Sequence, residues 1–286
     1  MLLAPALITG CIKESLDPCP ENEVRIRLRA EEFGADPAGT EPVFGKRVAS
    51  LRYALYSGGA LIWERRADGL DEVTGDAYYL SLGALEMRDY TLTVSANVPD
   101  GHYESSAAEP ESYAVAYQGP DKTRDYFSAV IPFTVDCTCP LTFDGTLQRL
   151  HTVVRTLLYN VPDGTASAEI SISDVSERRF VADGYGGVTS ATMRSDVDNI
   201  PGEAVRIVVG TFPTAGDGAS VYRIRLFGAD GQTAYEREIA GLRLKRNRLT
   251  DVTVRFPENP GGEIEVEVKL DTRWDGNENG GSTEIS

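Results

Sequence analysis

The sequence predicts an all-β protein built as two tandem β-sandwich domains. Three observations support this prediction. The chain has 286 residues, which suits two domains that each bury a core. Short segments in which apolar and polar residues alternate recur along almost its whole length. Turn sequences rich in glycine and proline separate these segments. We expect the domains to span residues 11–140 and 141–274, after a leader of residues 1–10 and before a polar, mobile tail of residues 275–286.

The first half opens with a clear strand pattern. Residues Val24–Ala30 alternate aliphatic side chains with arginine, so one face of an extended segment meets a core and the other meets water. Further along, the pair Gly58 and Gly59 separates the apolar segments Leu51–Tyr56 and Ala60–Glu64. Because two glycines readily take the positive φ angles of a tight turn, these segments are predicted to form a hairpin.

The rest of the first half is also predicted to be extended. Residues Tyr78–Leu82 and Tyr90–Val98 are expected to form another strand pair, which a Pro-Asp-Gly turn ends. The polar residues 103–124 are interpreted as a long excursion without a helix before the strand Phe127–Val135. Residues Asp136–Gly145 are the expected domain junction.

The second half contains one ambiguous segment. Leu147–Val161 has apolar residues at helical spacing, yet its β-branched residues favour a strand, at least in the latter part. A glycine-rich turn is expected at Gly184–Gly187. The other predicted strands are Ala168–Ser173, Arg179–Ala182, Val205–Val209, Tyr222–Leu226, Thr233–Ile239, Asp251–Phe256 and Glu263–Leu270.

Charge and motifs exclude several classes of function. The formal charge of −16 argues against nucleic acid or an anionic membrane face as a partner, because both favour clustered lysine and arginine. No nucleophile elbow, phosphate-binding loop, zinc-protease motif or dinucleotide fingerprint occurs, and neither His102 nor His151 has the setting of a triad. We therefore predict no enzymatic activity, no catalytic residue, no metal site and no cofactor.

The segment Ile8-Thr9-Gly10-Cys11 has the form of a bacterial lipobox. In this motif small residues precede a cysteine whose thiol is acylated and which becomes the new N-terminus. The apolar run before Cys11 is too short to span a bilayer, which takes about 20 residues, and suits the apolar part of a signal peptide. No lysine or arginine precedes Cys11, so either the true start lies upstream or the motif is accidental and Cys11 is an ordinary buried cysteine.

If Cys11 is acylated, three cysteines remain, which allows one disulfide and leaves one thiol. Cys137 and Cys139 would point the same way from one strand but stand well apart along it, so a bond between them is disfavoured. A bond from Cys19 to either of them is the preferred pairing.

The segment from Gly10 to Pro20, GCIKESLDPCP, resembles the N-terminus of the FimB-like fimbrial anchor and minor-subunit lipoproteins of Bacteroidales type V pili. Residues Tyr53–Ile62 look like the hairpin of this family, and Leu82–Val98 look like its next strand pair. Residues Leu244–Val254 resemble the Arg-Asn segment that precedes a strand near the C-terminus of fimbrillin-type domains. The similarity spans most of the chain.

The resemblance implies two transthyretin-like sandwiches and a palmitate-bearing outer-membrane lipoprotein at the cell surface. Its expected partners are fimbrial shaft subunits, through strand exchange, with host or bacterial surface ligands in an adhesive role. Either candidate strand could instead be an internal strand of its own sandwich, and for each strand taken alone we favour that alternative. The candidate exchanging residues are Val24, Ile26 and Leu28 in the first strand and Ile264, Val266, Val268 and Leu270 in the last.

A second function fits the same architecture. A glycan-binding surface lipoprotein of a polysaccharide-uptake system would also combine tandem sandwiches with a lipobox. Trp63 and Trp274 could then stack on sugars, although a tryptophan in a strand more often belongs to a core. Exposed, coplanar aromatic residues in one groove would favour this function, whereas an open sheet edge would favour the fimbrial one.

Overall fold

A computed structural model describes residues 23–31, 43–70, 73–104, 113–117, 119, 126–136, 141–180, 184–198, 202–258 and 262–271. These residues are almost entirely strands, with one short helix, α1 (Val43–Arg47), which confirms the all-β prediction. The four cysteines, the predicted leader 1–10 and the predicted tail 275–286 lie outside the described residues. In chain order the strands are β1 (Glu23–Ala30), β2 (Ser50–Ser57), β3 (Ala60–Asp68), β4 (Val73–Thr74), β5 (Ala77–Ala84), β6 (Asp89–Ala96), β7 (Tyr103–Glu104), β8 (Ala114–Ala116), β9 (Phe127–Thr134), β10 (Leu141–Arg149), β11 (Thr152–Tyr159), β12 (Thr165–Val175), β13 (Arg178–Phe180), β14 (Gly184–Gly186), β15 (Thr189–Asp196), β16 (Val205–Thr211), β17 (Ser220–Gly228), β18 (Thr233–Leu242), β19 (Leu249–Arg255) and β20 (Glu265–Asp271).

The first half of the chain forms one continuous sheet in the order β3-β2-β6-β9-β10-β1-β5-β4. Strand β10 pairs parallel with β1 along residues 141–147, and its last two residues pair antiparallel with the start of β9. Leucines and valines from β1 and from β6 lie in one core, so the sheet folds on itself into a sandwich with β10 at the fold.

Gly145 lies in β10, beside Leu28 of β1. A Cβ atom added there would overlap the Ile131 Cδ1 methyl of β9 and lie 3.1 Å from Leu28 Cδ2. A side chain at position 145 would therefore force Ile131 and Leu28 to shift, which favours glycine between the two layers.

The hairpin prediction is confirmed, because β2 pairs with β3 through a turn in which Gly58 and Gly59 both have positive φ. The predicted pairing of Tyr78–Leu82 with Tyr90–Val98 is wrong. Both segments contain strands, but β5 pairs with β1 and β4, whereas β6 pairs with β2 and β9. The connection between them crosses from one layer of the sandwich to the other.

The second half forms two four-stranded sheets, β16-β11-β19-β20 and β15-β12-β17-β18. Val154 and Val252 from the first sheet and Ile170 and Ile224 from the second are all fully buried in a shared core, which makes this half a second sandwich. The predicted strand in the latter part of Leu147–Val161 is confirmed as β11.

Two features of the second half differ from the prediction. Strand β15 was not predicted, because its buried residues include Ala191 and Met193, which do not mark a strand as β-branched residues do. Residues Gly184–Gly186 form strand β14 rather than a turn and pair with β13. The small sheet β14-β13-β8-β7 joins the two halves, because β7 and β8 come from the predicted excursion.

The first core extends past residue 140, the expected domain boundary. Leu141 and Leu147 of β10 lie in the first core, whereas Leu150 lies in the second. Pairing and packing therefore place β10 with the first sandwich. The second core includes Leu150, directly after β10, and also Tyr113, Val115 and Tyr117 from the excursion.

Candidate functional site

The two strand-exchange candidates have different places in the fold. Strand β1 lies inside its sheet, with β10 on one side and β5 on the other. Its Val24, Ile26 and Leu28 side chains have no exposed surface. β1 is thus an internal strand of its own sandwich, and the structure offers no free edge there.

Strand β20 lies at the edge of its sheet and, within the described residues, pairs only with β19. The register places Val268 opposite Val252 and Val266 opposite Val254. β20 therefore completes its own sandwich on one side, and no described strand pairs with its other side.

The inward row of β20 becomes more exposed toward its start. Val268 is 5% exposed, Val266 is half-buried, and Ile264, just before the strand, is 36% exposed. Leu270 pairs in the backbone with Thr250. On the outward row, the Lys269 ammonium lies 2.6 Å from Glu267 Oε1. Charged residues on an edge strand oppose unspecific pairing, while the apolar end at Ile264 stays accessible.

The junction of the sandwiches is held by a half-buried ion pair. Arg246, in the loop before β19, pairs with the carboxylate of Glu31, which directly follows β1. The same guanidinium donates to the Arg149 carbonyl at 3.0 Å, and the Arg149 amide donates to Glu31 Oε2 at 2.9 Å. Arg149 is the largest fully buried side chain of the described residues. These contacts tie the second sandwich to the ends of β1 and β10.

Aromatic side chains complete the junction. His151, Tyr117 and Tyr185 surround Phe212, with ring centroids between 5.2 and 5.6 Å from its own. The Tyr185 hydroxyl donates to the Leu150 carbonyl at 2.6 Å. Burial raises the pKa of Tyr117 and of Tyr185 above the ordinary tyrosine value. His151 is thus a buried residue of the junction.

The excursion crosses the outer surface of the first sandwich. Tyr103 and Tyr113 lie edge to face, with centroids 4.5 Å apart, and the Arg52 guanidinium of β2 lies 4.4 Å from the Tyr103 ring centroid. Tyr113 is buried, and burial raises its pKa well above the ordinary value. Since β8 also pairs with β13, this segment connects the sandwiches from a second direction.

A cavity of about 340 Å³ opens at the opposite end of the first sandwich. Three strands meet there: the end of β2, the start of β6 and the end of β9. We call it the distal cavity. It is lined by Tyr56, Ser57, Gly58, Gly59, Asp89, Tyr90, Thr91, Pro132, Phe133 and Thr134.

The sequence did not predict the distal cavity. Gly58 and Gly59 were recognised only as a turn, and the polar lining residues are far apart in the chain. Because three separate strand ends form the lining, no local pattern marks it. The only lining residue that the sequence could have singled out is Asp89, because it is a charged residue directly before the alternating segment Tyr90–Val98.

Trp63 does not form an open aromatic platform. It packs against the first core, its ring lies edge to face with Tyr53, and the Arg65 guanidinium lies 4.4 Å from its ring centroid. The structure does not describe Trp274.

Neither a metal site nor a membrane-crossing helix is found in the described part of the chain. No group of three or more histidine, cysteine or acidic side chains there could hold a metal ion. No helix there has the length and apolarity that a bilayer crossing requires. The lipidation candidate Cys11 and the disulfide candidates Cys19, Cys137 and Cys139 lie outside the described residues.

The fold is shared with several solved bacterial proteins. A proposed polysaccharide-binding protein from Bacteroides thetaiotaomicron matches with a TM-score of 0.65 at 12% identity, over 93% of this chain and 99% of that one. A proposed adhesin from Bacteroides ovatus matches with 0.63 at 12%, over 91% and 94%. The fimbrial anchor protein Mfa2 from Porphyromonas gingivalis matches with 0.56 at 11%, over 87% and 97%.

No protein-family model and no curated protein matches the sequence. At these identities the structural matches establish the fold alone. The resemblance to fimbrial anchor proteins that the Gly10–Pro20 segment indicated is confirmed at the level of fold.

Proposed function

We propose that this chain is a lipid-anchored fimbrial subunit of type V pili, either an anchor or an accessory subunit, with a structural and adhesive role. The observation that carries this proposal is the open edge of β20 in a fold shared with a fimbrial anchor protein. An exposed sheet edge can accept a strand from a neighbour, because backbone hydrogen bonds supply affinity and alternate side chains set the register.

The partner would be a shaft subunit that adds a strand beside β20. The apolar end at Ile264 is the expected point of contact, because Ile264 is exposed whereas Val268 of the same row is buried. On this proposal Cys11 carries the lipid and the protein resides at the outer membrane and cell surface, as a non-enzymatic subunit of two transthyretin-like sandwiches.

The membrane attachment is tested by labelling cells with a palmitate analogue. The intact protein should carry label, and Cys11→Ala should abolish the label and release the protein into the soluble fraction. An unlabelled wild-type protein would remove the lipid anchor from the proposal.

The assembly role is tested with Ile264→Asp in the full chain. Because Ile264 is exposed, the melting temperature should change little, while co-purification of shaft subunits with the tagged protein should fall sharply. Val188→Asp is the matched control, since Val188 is 64% exposed elsewhere in the second sandwich. Shaft subunits that co-purify equally with both variants would contradict an interface at this edge.

A second variant separates folding from assembly. Val266 is half-buried against the second core, so Val266→Asp should lower the melting temperature, because burying an unpaired carboxylate costs several kcal/mol. An unchanged melting temperature together with lost assembly would mean that β20 is donated to a neighbour instead.

The glycan-binding function remains the second candidate. It is supported by the distal cavity and by the fold shared with a proposed polysaccharide-binding protein.

A further inference from the structure

We propose that the distal cavity binds a neutral saccharide, and that its source is the cell's own surface polysaccharide. The assignment of the saccharide to the cell's own surface rests on the proposed lipid anchor. The proposal that the cavity binds a neutral saccharide does not depend on that anchor. Its volume of about 340 Å³ is within the range of small-molecule sites and suits one or two sugar rings.

Some polar groups of the cavity are fixed by hydrogen bonds to each other, and others remain available to a ligand. The Thr134 hydroxyl donates to Asp89 Oδ1 at 2.7 Å, which fixes the carboxylate, and the Ser57 hydroxyl donates to the Asp89 carbonyl at 2.8 Å. Within the described residues, Asp89 Oδ2 and the Thr91 hydroxyl make no side-chain hydrogen bond. A fixed carboxylate oxygen beside a free hydroxyl can accept from, and donate to, neighbouring sugar hydroxyls.

The apolar part of the lining complements the C–H groups of a sugar ring. Tyr90 and Phe133 both line the cavity and are stacked with centroids 5.4 Å apart and an interplanar angle of 18°, so each ring covers one face of the other. Pro132 is exposed and can pack against the C–H groups of a pyranose. Gly58 and Gly59 have no side chains and leave the mouth open.

The charges of the lining select against other ligands. Among the described residues no lysine or arginine is part of the lining, so a phosphate, sulfate or carboxylate would meet Asp89 without a compensating cation in the lining itself. One carboxylate is too few for a calcium ion, which takes six to eight oxygen ligands. A primary amine would satisfy Asp89, but Phe133 and the Arg88 guanidinium already lie 5.4 and 5.3 Å from the Tyr90 ring centroid, where a second cation would have to compete with them.

The position of the cavity indicates which saccharide is within reach. Thr134 ends β9, β10 starts a few residues later, and Val24 pairs with Leu141 at that start. The start of β1 and the distal cavity therefore lie at the same end of the first sandwich, away from the junction. A lipid on Cys11 would tether this end within roughly 40 Å of the membrane by the reach of the intervening chain.

The test uses the full chain carrying Cys11→Ala, so that its outcome does not depend on lipidation or assembly. Isothermal titration with neutral oligosaccharides, prepared from the surface polysaccharide of the bacterium that encodes the chain, should show saturable binding. Asp89→Asn and Thr91→Val should each weaken it by about tenfold with little change in melting temperature. Asp163→Asn, at an exposed turn of the second sandwich, should bind as the parent does.

Three results would overturn the proposal. One is the absence of binding at 10 mM of any neutral oligosaccharide; another is unchanged binding by both cavity variants. Preferential binding of a lysine-containing peptide would instead identify an ammonium site. If neutral host-type glycans bind and the cell's own do not, the assignment of the source is wrong. None of these results depends on the co-purification of shaft subunits, so the two proposals fail separately.

Discussion

The guanidinium of Arg246 contacts both carboxylate oxygens of Glu31, although the two residues are 215 positions apart. The pair is largely shielded, with side chains 30% and 25% exposed. Glu31 also accepts from the Arg149 amide, and its own amide donates to the Leu147 carbonyl at 2.8 Å. One carboxylate thus joins the ends of two strands in the first sandwich to a loop of the second.

We expect Arg246→Met to lower the free energy of unfolding by about 1–3 kcal/mol, because it leaves a half-buried carboxylate without its charged donor. Chemical denaturation of the full chain measures this. Arg25→Met is the control, since the pair of Arg25 with Glu23 is exposed and local, and should have an effect below about 0.5 kcal/mol. If both variants lower the free energy of unfolding equally, the Arg246–Glu31 pair stabilises the protein no more than an exposed ion pair does.

Gly145→Ala should destabilise the first sandwich by about 1–3 kcal/mol, because the new methyl overlaps Ile131 and crowds Leu28. Gly218→Ala is the matched control, since its nearest contact would be the Ala215 carbonyl at 3.4 Å, and the expected change is within about 0.5 kcal/mol. Thermal unfolding gives both values. A fully stable Gly145→Ala protein would mean that the layers can separate at β10 without cost.

Buried tyrosines should make the protein sensitive to alkali. Burial raises the pKa of Tyr222 above its unfolded value of about 10, and its hydroxyl is hydrogen-bonded to Thr156 Oγ1 at 2.8 Å. A raised folded-state pKa of a tyrosine means that its stabilisation is fully present below about pH 10. It is lost as the pH rises further, since the unfolded chain ionises first.

Tyr222→Phe should therefore reduce the slope of stability against pH above pH 10 by up to about 1.4 kcal/mol per pH unit, the equivalent of one proton. Denaturant titrations between pH 8 and pH 11.5 measure this slope. Below pH 9 the two proteins should differ by a constant amount. Parallel curves up to pH 11.5 would show that Tyr222 ionises in the folded state.

The predicted disulfide between Cys19 and either Cys137 or Cys139 would close a loop of more than a hundred residues. Losing such a crosslink costs about 2–5 kcal/mol in a model of unfolded-chain entropy. Cys19→Ser should lower the melting temperature of the oxidised protein and leave that of the reduced protein unchanged. Three free thiols in the mature protein under non-reducing mass spectrometry would disprove the bond.

Local patterns were sufficient for most strands. Alternation in Val24–Ala30 predicted both the strand and the buried row of Val24, Ile26 and Leu28, because successive side chains of an extended chain point to opposite faces. The Gly58-Gly59 turn predicted the hairpin, since a two-residue turn brings the strands on either side of it next to each other.

Patterns did not predict pairing across longer connections. The pattern of β5 and β6 is the same whether they pair with each other or lie in opposite layers, since alternation specifies a face and not a neighbour. The parallel pairing of β1 with β10 joins segments more than a hundred residues apart, and Gly145 acquires its role only through it.

By itself the sequence determined the fold class, the inward rows of most strands, the hairpin turns and the absence of known catalytic motifs. The tertiary structure alone decided that β1 is internal and β20 is the edge of its described sheet, that β10 belongs to the first sandwich, and that Asp89, Thr91 and Thr134 share one cavity. The physical reason is the distance along the chain over which each interaction acts. Backbone geometry and side-chain alternation act between near neighbours in the chain, whereas strand order, edges and cavities depend on which distant surfaces bury each other.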